Sequence, residues 1–351
     1  MSPFPLNCWY VAAWSHEVPS SGLFHRTILG QPVLLYRLQT GEAVALDNRC
    51  CHRAAPLHLG RQEGDNIRCG YHGMLFNPQG ACLEVPGQTT IPREAQIRRY
   101  PLVERNNWLW LWPGPPEQAD PALIPDNWAC NHPDWRYVPD THTWPVDWRL
   151  ICDNLLDFSH LSYVHAATLG GSTEIAQAKP VIDRIPGGLR VTRRVRDVPP
   201  APYHRRFADL PGNVDRWFIY EFLLPGILLM HSGLKPTGHR WDEMQGALRL
   251  ESCQALTPET ADSTHYFFMQ APGFGHTDPD LPAAIHASLI QAFAEDRAMI
   301  TAQQAMLKLG PSPMVAIAAD AALARFRQIL QRALQAEGAP LPDDGGNASW
   351  A

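Results

Sequence analysis

The sequence predicts an α+β protein of two domains, in which a domain of β-strands precedes a domain of strands and long helices. Three observations predict this class. Short apolar runs bounded by turn residues fill the first third of the chain, whereas helical periodicity is strongest in residues 281–307 and 315–336. The chain of 351 residues is too long for one simple core. Because residues 113–121 are rich in proline, we expect domains at residues 1–115 and 116–351.

Composition and charge exclude several classes of protein. Hydrophobic residues make up 45% of the chain and charged residues 18%, so the chain can bury a core and is not disordered. The net charge is −6 and no basic stripe suits nucleic acid. The start of the chain lacks the pattern of a signal peptide, and no apolar run is long enough to cross a bilayer. We therefore expect a cytoplasmic protein that binds neither nucleic acid nor a membrane.

Alternating and apolar runs predict the strands of the first domain. Residues 27–37 and 43–47 flank the turn signal at residues 39–42. Residues 108–112 alternate strictly between tryptophan and leucine, so their tryptophans share one face. An all-β first domain follows from these runs.

Two short motifs between these strands each pair a cysteine with a histidine. They are Cys50-x-His52 and Cys69-x2-His72, and sixteen residues lie between His52 and Cys69. Zinc is the default metal for two cysteines and two histidines. A Rieske [2Fe–2S] cluster is the alternative, in which one iron takes two thiolates and the other takes two imidazoles. Each motif gives one ligand of each kind, and this order favours the Rieske cluster. The adjacent Cys51 lacks the spacing to the histidine and is predicted to be a bystander.

A second concentration of polar residues lies in the otherwise apolar stretch 153–165, which contains Asn154, Asp157, His160 and His165. Two histidines joined by one carboxylate from elsewhere would form the open-sided facial triad of a non-heme Fe(II) oxygenase. A helix with hydrogen-bonded core histidines is the alternative, and this stretch alone leaves both open.

The helix from residue 281 offers the missing carboxylate. Asp296 falls within its apolar stripe, whereas Glu295 shares a more solvated face. An aspartate on a buried stripe is costly unless it is paired or bound to metal, so Asp296 is the better third ligand. Pairing of this carboxylate with an arginine is the alternative.

The remaining second domain is predicted to be a sheet beside a mobile loop. Periodicity predicts a hairpin over residues 181–195 and strands over residues 214–234, 247–256 and 263–271. Residues 197–212 are rich in proline and are predicted to form a mobile loop. The tail after Gly338 is predicted to be frayed.

The middle strands and the helix from residue 281 are the expected walls of a substrate pocket. Polar candidates for anchoring an acid group there are His231 and Gln254, although either residue could be an ordinary strand residue. The sequence singles out no arginine for that role.

These motifs together resemble the oxygenase component of Rieske non-heme iron oxygenases, from about residue 6 to residue 335. The similarity is closest to the group of vanillate O-demethylase, dicamba O-demethylase and toluenesulfonate methyl-monooxygenase. The segments that show this similarity are residues 7–13, 50–58, 85–87, 153–157 and 293–297. Two others, residues 23–27 and 316–320, are most similar to the toluenesulfonate enzyme. One departure is Cys51, where the group has proline.

The resemblance implies a Rieske domain followed by a helix-grip, START-like catalytic domain, assembled as a head-to-tail homotrimer. It implies that His160, His165 and Asp296 bind Fe(II). It also implies that Asp157, with Asn154 nearby, bridges His72 of one subunit to His160 of the next. If residues 153–165 are helical, Asp157 lies one turn from His160, and its carboxylate is expected to hydrogen-bond the His160 imidazole and orient it.

The implied activity is that of a terminal oxygenase, which uses O2 to hydroxylate a methyl or methoxyl group of an aromatic acid. The chain contains no Gly-x-Gly-x-x-Gly, so a separate ferredoxin-type NAD(P)H reductase would supply the electrons. Two alternatives remain. An arene cis-dihydroxylating dioxygenase would share the metal sites, and a non-enzymatic Rieske electron carrier would need only the first.

Overall fold

The structure is a computed structural model that describes residues 4–170, 172–311 and 313–338, and these residues divide into two compact units. The smaller unit comprises Leu6–Asp126 and Thr257–Ala261, and the larger comprises residues 4–5, Asn127–Leu256 and the described residues from Asp262 on. The α+β class is confirmed, with a β domain preceding a domain of strands and long helices. The boundary between residues 115 and 116 stays a prediction, and the frayed tail, residues 339–351, lies outside the described residues.

The smaller unit, all of whose residues the structure describes, consists of short antiparallel strands. They form a three-stranded sheet in the order β1-β11-β10 and two four-stranded sheets in the orders β2-β3-β4-β9 and β5-β6-β7-β8. Their bounds are β1 Tyr10–Trp14, β2 Phe24–Ile28, β3 Gln31–Arg37, β4 Ala43–Asp47, β5 Arg61–Glu63, β6 Asn66–Arg68, β7 Leu75–Phe76, β8 Cys82–Glu84, β9 Arg99–Tyr100, β10 Leu102–Arg105 and β11 Trp108–Leu111.

The larger unit is built on one antiparallel sheet in the order β12-β18-β17-β16-β15-β14-β13. Its strands are β12 Asp140–Trp144, β13 Val181–Ile185, β14 Gly188–Val198, β15 Val214–Leu223, β16 Ile227–Pro236, β17 Leu248–Thr260 and β18 Ser263–Pro272. Its helices are α1 Trp148–Leu156, α2 Thr173–Gln177, α3 Pro202–Arg205, α4 Leu281–Leu307 and α5 Ala321–Ala336. None of the helices within the described residues combines the length and apolar character needed to cross a bilayer.

Two predicted strands are hairpins in the structure. The chain reverses between β2 and β3 at Leu29-Gly30, where both residues have positive φ, and between β15 and β16 at the cis Leu224–Pro225 bond. Period-2 apolar patterns continue through such tight turns, so alternation alone does not reveal them. The predicted mobile loop contains α3, whose Tyr203 and His204 are buried.

One face of the large sheet is turned toward the segment that follows α1. The Tyr220 hydroxyl donates a hydrogen bond to the Leu156 carbonyl at 3.0 Å, and the Phe218 ring lies 5.5 Å from that of Phe158. Because side chains alternate along a strand, Arg216 shares this face with Phe218 and Tyr220. We call it the inner face of the sheet.

Candidate metal centres

The cysteine–histidine motifs of the smaller unit lie in two loops that bring all four side chains together. Cys50 and Cys69 are buried, whereas His52 and His72 are exposed, with their ring centroids 4.5 Å apart. Two inward thiols beside two outward imidazoles suit a cluster with one buried iron and one iron near the surface. Burial raises the pKa of the Cys50 thiol to about 11, so the thiol is neutral unless a metal replaces its proton.

The two loops repeat one backbone pattern. The Cys50 N–H donates to the Ala55 carbonyl and the Ala54 N–H donates back to the Cys50 carbonyl, each at 2.9 Å. In the second loop, the Cys69 N–H donates to the Met74 carbonyl at 2.8 Å, and the Gly73 N–H donates back to the Cys69 carbonyl at 3.1 Å. Each cysteine is therefore held by the loop that its own motif closes.

The approach of the two loops depends on glycine. A Cβ on Gly60 would lie 2.1 Å from the Arg68 carbonyl oxygen, and a Cβ on Gly70 would lie 2.7 Å from the Leu59 carbonyl oxygen. Neither position has room for a side chain, so both glycines are required for the loops to pack. Cys51 is exposed beside them, as expected of a bystander.

In the larger unit, His160, His165 and Asp296 each offer a ligand atom, and these atoms lie within 4.8 Å of one another. Asp296 Oδ1 lies 3.0 Å from His165 Nε2 and 3.6 Å from His160 Nε2. Asp296 is buried on the apolar stripe of α4 at 5% exposure, as its periodicity predicts. His165 lies five positions after His160 and has no exposed surface.

The helical path predicted for stretch 153–165 is interrupted. Helix α1 ends at Leu156, Asp157 has an extended backbone, and a 3-10 helix follows over Phe158–Ser162. Asp157 and His160 therefore do not lie one turn apart on a continuous helix. The break turns His160 and His165 toward α4, which a continuous helix would not do.

Hydrogen bonds fix the tautomers of both histidines. His160 Nδ1 donates to the Asp157 backbone carbonyl at 2.5 Å, and His165 Nδ1 donates to Glu295 Oε2 at 2.7 Å. Both acceptors can only accept, so each Nδ1 carries the proton and each Nε2 presents a lone pair toward Asp296. When both imidazoles are neutral, two nitrogen lone pairs and a carboxylate oxygen converge here, and this set of donors fits a divalent cation.

The pKa shifts differ between the two histidines. Burial lowers the pKa of His160 and favours the neutral imidazole that a metal ligand requires. Burial also acts to lower the pKa of His165, but Asp296 and Glu295 outweigh it and the net shift is upward. The two carboxylates therefore favour a positive charge at this position, which a bound divalent cation would supply.

Two further residues orient two of the three candidate ligands, Asp296 and His165. The Asn154 side-chain amide donates to Asp296 Oδ1 at 3.0 Å, so Asn154 lies beside the site. Glu295 accepts from both His165 Nδ1 and the Thr168 hydroxyl at 2.7 Å. The sequence interpretation weighed Glu295 only as a ligand and assigned it to solvent. The signal that it missed is that a metal-bound histidine needs an acceptor for its other ring nitrogen.

The carboxylate of Asp157 has a different partner from the one expected. It accepts from the Ser159 N–H at 2.9 Å and from the Ser159 hydroxyl at 2.7 Å, and so caps the 3-10 helix. The buried Arg193 lies 3.7 Å from its Oδ1. The expected hydrogen bond from His160 goes to the backbone carbonyl of Asp157 and not to its carboxylate.

The two polar pocket candidates lie on opposite faces of the sheet. Gln254 is buried and accepts a hydrogen bond from the Tyr266 hydroxyl. His231 alternates with the inner-face residue Ser232, which pairs with Phe218, and it bonds Glu251 at 2.5 Å on the outer face. The structure therefore places Gln254, but not His231, on the side of the candidate metal site.

Comparisons with known proteins agree with both centres. Residues 8–101 match the Rieske [2Fe–2S] domain, and residues 144–336 match the vanillate O-demethylase oxygenase C-terminal domain. The toluene-4-sulfonate monooxygenase system iron-sulfur subunit of Comamonas testosteroni is 47% identical, over 95% of this chain and 98% of the relative. The vanillate O-demethylase oxygenase subunit of a Pseudomonas strain is 35% identical, over 95% of this chain and 96% of the relative.

A solved structure supports the same assignment. Dicamba monooxygenase bound to 3,6-dichlorosalicylic acid superposes with a TM-score of 0.88 at 29% identity, over 96% of this chain and 99% of the other. A second structure of that enzyme contains non-heme iron and dicamba, with a TM-score of 0.81 at 28% identity, over 96% of this chain and 99% of the other. The family match covers more than half of the chain and includes all three candidate iron ligands. The chain therefore belongs to the vanillate O-demethylase family of Rieske non-heme iron oxygenases and is the oxygenase component of a multicomponent monooxygenase, with a [2Fe–2S] cluster and a mononuclear iron.

Proposed function

We propose that this chain hydroxylates a methyl or methoxyl substituent of an aromatic acid at an iron held by His160, His165 and Asp296. One observation carries the proposal, namely the convergence of two imidazole nitrogens and one carboxylate oxygen within 4.8 Å. The relatives support the substrate class, because one is named for toluene-4-sulfonate and another for vanillate. Both of those compounds are aromatic acids that carry a methyl or methoxyl group.

The metal groups would supply one-electron chemistry and O2 activation when bound. The chain's own residues hold the ligands. Glu295 fixes the ring of His165, the Asp157 carbonyl fixes the ring of His160, and Asn154 donates to Asp296. Since each ligand is held by a second group, the site is ordered before a metal or substrate arrives.

The electron donor is a separate reductase, as in other multicomponent systems, and we propose that it is a ferredoxin-type enzyme that uses NAD(P)H. Cys50, His52, Cys69 and His72 would ligate the cluster that receives its electrons. We further propose a head-to-tail homotrimer in which Asp157 lies between His160 and His72 of the partner subunit. The position of Asp157 supports this, because its carboxylate is half-buried and is held in place by the Ser159 N–H and hydroxyl.

The proposed reaction balances. One O2, two electrons and two protons convert an aryl methyl group to a benzylic alcohol and release one water. With an aryl methoxyl group, the first product is a hemiacetal, which collapses to a phenol and formaldehyde. The electron-carrier alternative does not account for the second metal centre, and the named relatives are monooxygenases or demethylases, not dihydroxylating enzymes.

The test is a product screen of the purified oxygenase with NADH and a heterologous ferredoxin-type reductase. The substrates are 4-toluenesulfonate, 4-methylbenzoate and vanillate, analysed by mass spectrometry with a formaldehyde assay. We expect one added oxygen on a methylated acid, or formaldehyde in equal amount to the phenol from vanillate. Products with two added oxygens and a saturated ring bond would contradict the proposal in favour of cis-dihydroxylation.

A further inference from the structure

A buried cation for which the described residues provide no counter-ion lies on the inner face of the large sheet. Arg216, on β15, is 2% exposed, and its Nε has no hydrogen-bond partner. One Nη donates to the Gly170 carbonyl at 2.7 Å, and the guanidinium carbon lies 5.2 Å from the centre of the Phe218 ring. A carbonyl and a ring face do not neutralise a full charge, and burial of an unpaired charge is strongly unfavourable.

The neighbouring carboxylates have other partners. Asp215, next to Arg216 in sequence, points to the opposite face, where it binds Arg196, Thr237 and the Asp197 N–H. Asp157 lies beside Arg193, the other inner-face arginine. Burial alone lowers the pKa of Arg216 to about 10, and no carboxylate of the described residues opposes that shift. The charge of Arg216 is thus available to an anion from outside the chain.

A second unpartnered group accompanies this cation. His204, on α3, is 7% exposed, and its Nδ1 has no hydrogen-bond partner. Burial, with a smaller contribution from Arg216, lowers the pKa of His204 well below its usual value, so its imidazole is neutral. Two nitrogen atoms that need partners, one on a cation and one on a neutral ring, are therefore buried within electrostatic reach of each other.

The arginine lies next to the candidate iron site. The Gly170 carbonyl that it binds belongs to a residue whose N–H donates to the His165 carbonyl at 2.8 Å. On the other side, the Phe218 ring lies 5.5 Å from that of Phe158, which in turn lies 6.4 Å from that of His160. Arg216 is thus linked to His165 through Gly170 and to His160 through two phenylalanine rings.

We propose that Arg216, with His204 beside it, binds the sulfonate or carboxylate group of the aromatic substrate and places the opposite end of its ring toward the iron. This inference rests on the proposed function, because it assigns the acid group of that substrate class. An arginine fork matches the geometry of both anions, and its charge-assisted hydrogen bonds are strong in a buried site. A neutral substrate of the same shape leaves Arg216 unpaired and is rejected.

The rival interpretation is that Arg216 only braces Gly170 and the loop after His165. The two interpretations predict different effects of ligand charge on affinity. If Arg216 has only a structural role, it contributes equally to the binding of charged and neutral ligands. Calorimetric titration of the holoenzyme, with its cluster oxidised and no reductase present, measures this dependence without turnover. The probes are 4-toluenesulfonate, 4-methylbenzoate and methyl p-tolyl sulfone, a neutral compound close in shape to the sulfonate.

We expect wild-type protein to bind at least one of the two anions roughly tenfold or more tightly than the sulfone. Arg216→Gln should weaken binding of that anion by a similar factor and change binding of the sulfone by less than about twofold. Arg216→Lys keeps the charge without the fork and should retain part of the preference. The control Arg194→Gln removes a cation from the neighbouring strand, where it packs on Trp241, and should bind the probes like wild type.

Three results would overturn the proposal. They are a wild type that does not prefer either anion, an Arg216→Gln variant that keeps the preference, and an equal loss of anion and sulfone binding. The wild-type comparison needs no variant and so applies even if Arg216→Gln does not fold. A protein that binds anions selectively but forms no product would instead contradict the proposed function, so the two failures are distinguishable.

Discussion

The two metal centres of this chain are assembled in different ways. The cluster ligands come from two short loops that repeat one hydrogen-bond pattern, each of which holds its own cysteine. The candidate iron ligands come from an interrupted helical segment and from a helix more than 130 residues further along the chain. The first centre depends on local geometry and glycine contacts, and the second depends on how the segment after α1 packs against α4. Variants should therefore damage the two centres independently.

The largest effect is expected from Cys50→Ser. Loss of one buried thiolate should abolish the [2Fe–2S] absorption and turnover, because serine is a poor ligand for iron in a sulfur cluster. Mononuclear iron should remain at about one per chain. The matched control is Cys51→Ser, which changes the exposed neighbour and should keep both metals. A cluster that disappears in the control as well would show that Cys51 is more than a bystander.

His160→Ala is the reciprocal test. We expect the visible spectrum of the cluster to be unchanged, while mononuclear iron and turnover are lost, because two ligands do not retain Fe(II). Metal analysis with and without dialysis against a chelator measures this. Mononuclear iron retained at one per chain would contradict the assignment of His160.

Asp157→Asn removes a charge and keeps the shape of the side chain. Both metals should stay, and turnover should fall sharply, because the proposed bridge to His72 of the partner subunit loses its charge. Because the His160 hydrogen bond goes to the backbone of Asp157, the ligand itself keeps its orientation. Single-turnover measurement of cluster oxidation separates slow electron transfer from slow substrate binding. Wild-type rates in this variant would reject the bridging role.

Glu295→Ala tests whether Glu295 positions His165, a role that the periodicity of α4 did not indicate. Loss of the acceptor for His165 Nδ1 should weaken Fe(II) binding by roughly 10- to 100-fold, with an unchanged cluster spectrum. Glu295→Gln keeps an acceptor and should recover part of the affinity. The control is Gln291→Ala, an exposed position one turn earlier on the same helix. Equal iron affinity in all of these proteins would leave Glu295 without a positioning role.

Gly60→Ala should have the smallest effect on the iron site and a local effect on the cluster. Its Cβ would meet the Arg68 carbonyl oxygen at 2.1 Å, so the loops must separate, and we expect a loss of stability of about 1–3 kcal/mol. Thermal unfolding and cluster content per chain measure this. Gly212→Ala, where an added Cβ meets nothing within 4 Å, is the control. Normal cluster content and stability in Gly60→Ala would show that the loops tolerate a wider approach.

The sequence by itself determined the features that depend on neighbouring residues. The spacing of cysteines and histidines indicated the cluster, because four ligands from two short loops leave few arrangements. The burial of Asp296 followed from the periodicity of α4, since a helix presents every third or fourth residue to the core. The strands and long helices of both units were predictable for the same reason, apart from the tight turns inside apolar runs.

Only the tertiary structure decided which distant groups meet. Glu295 faces His165 because the chain bends after α1, and no periodicity of α4 contains that information. The Asp157 carboxylate caps a 3-10 helix, which the assumption of a continuous helix concealed. Arg216 became distinct from the other arginines only when each carboxylate near it was found with another partner. Electrostatic pairing is a property of three-dimensional neighbours, and the order of residues along the chain does not specify it.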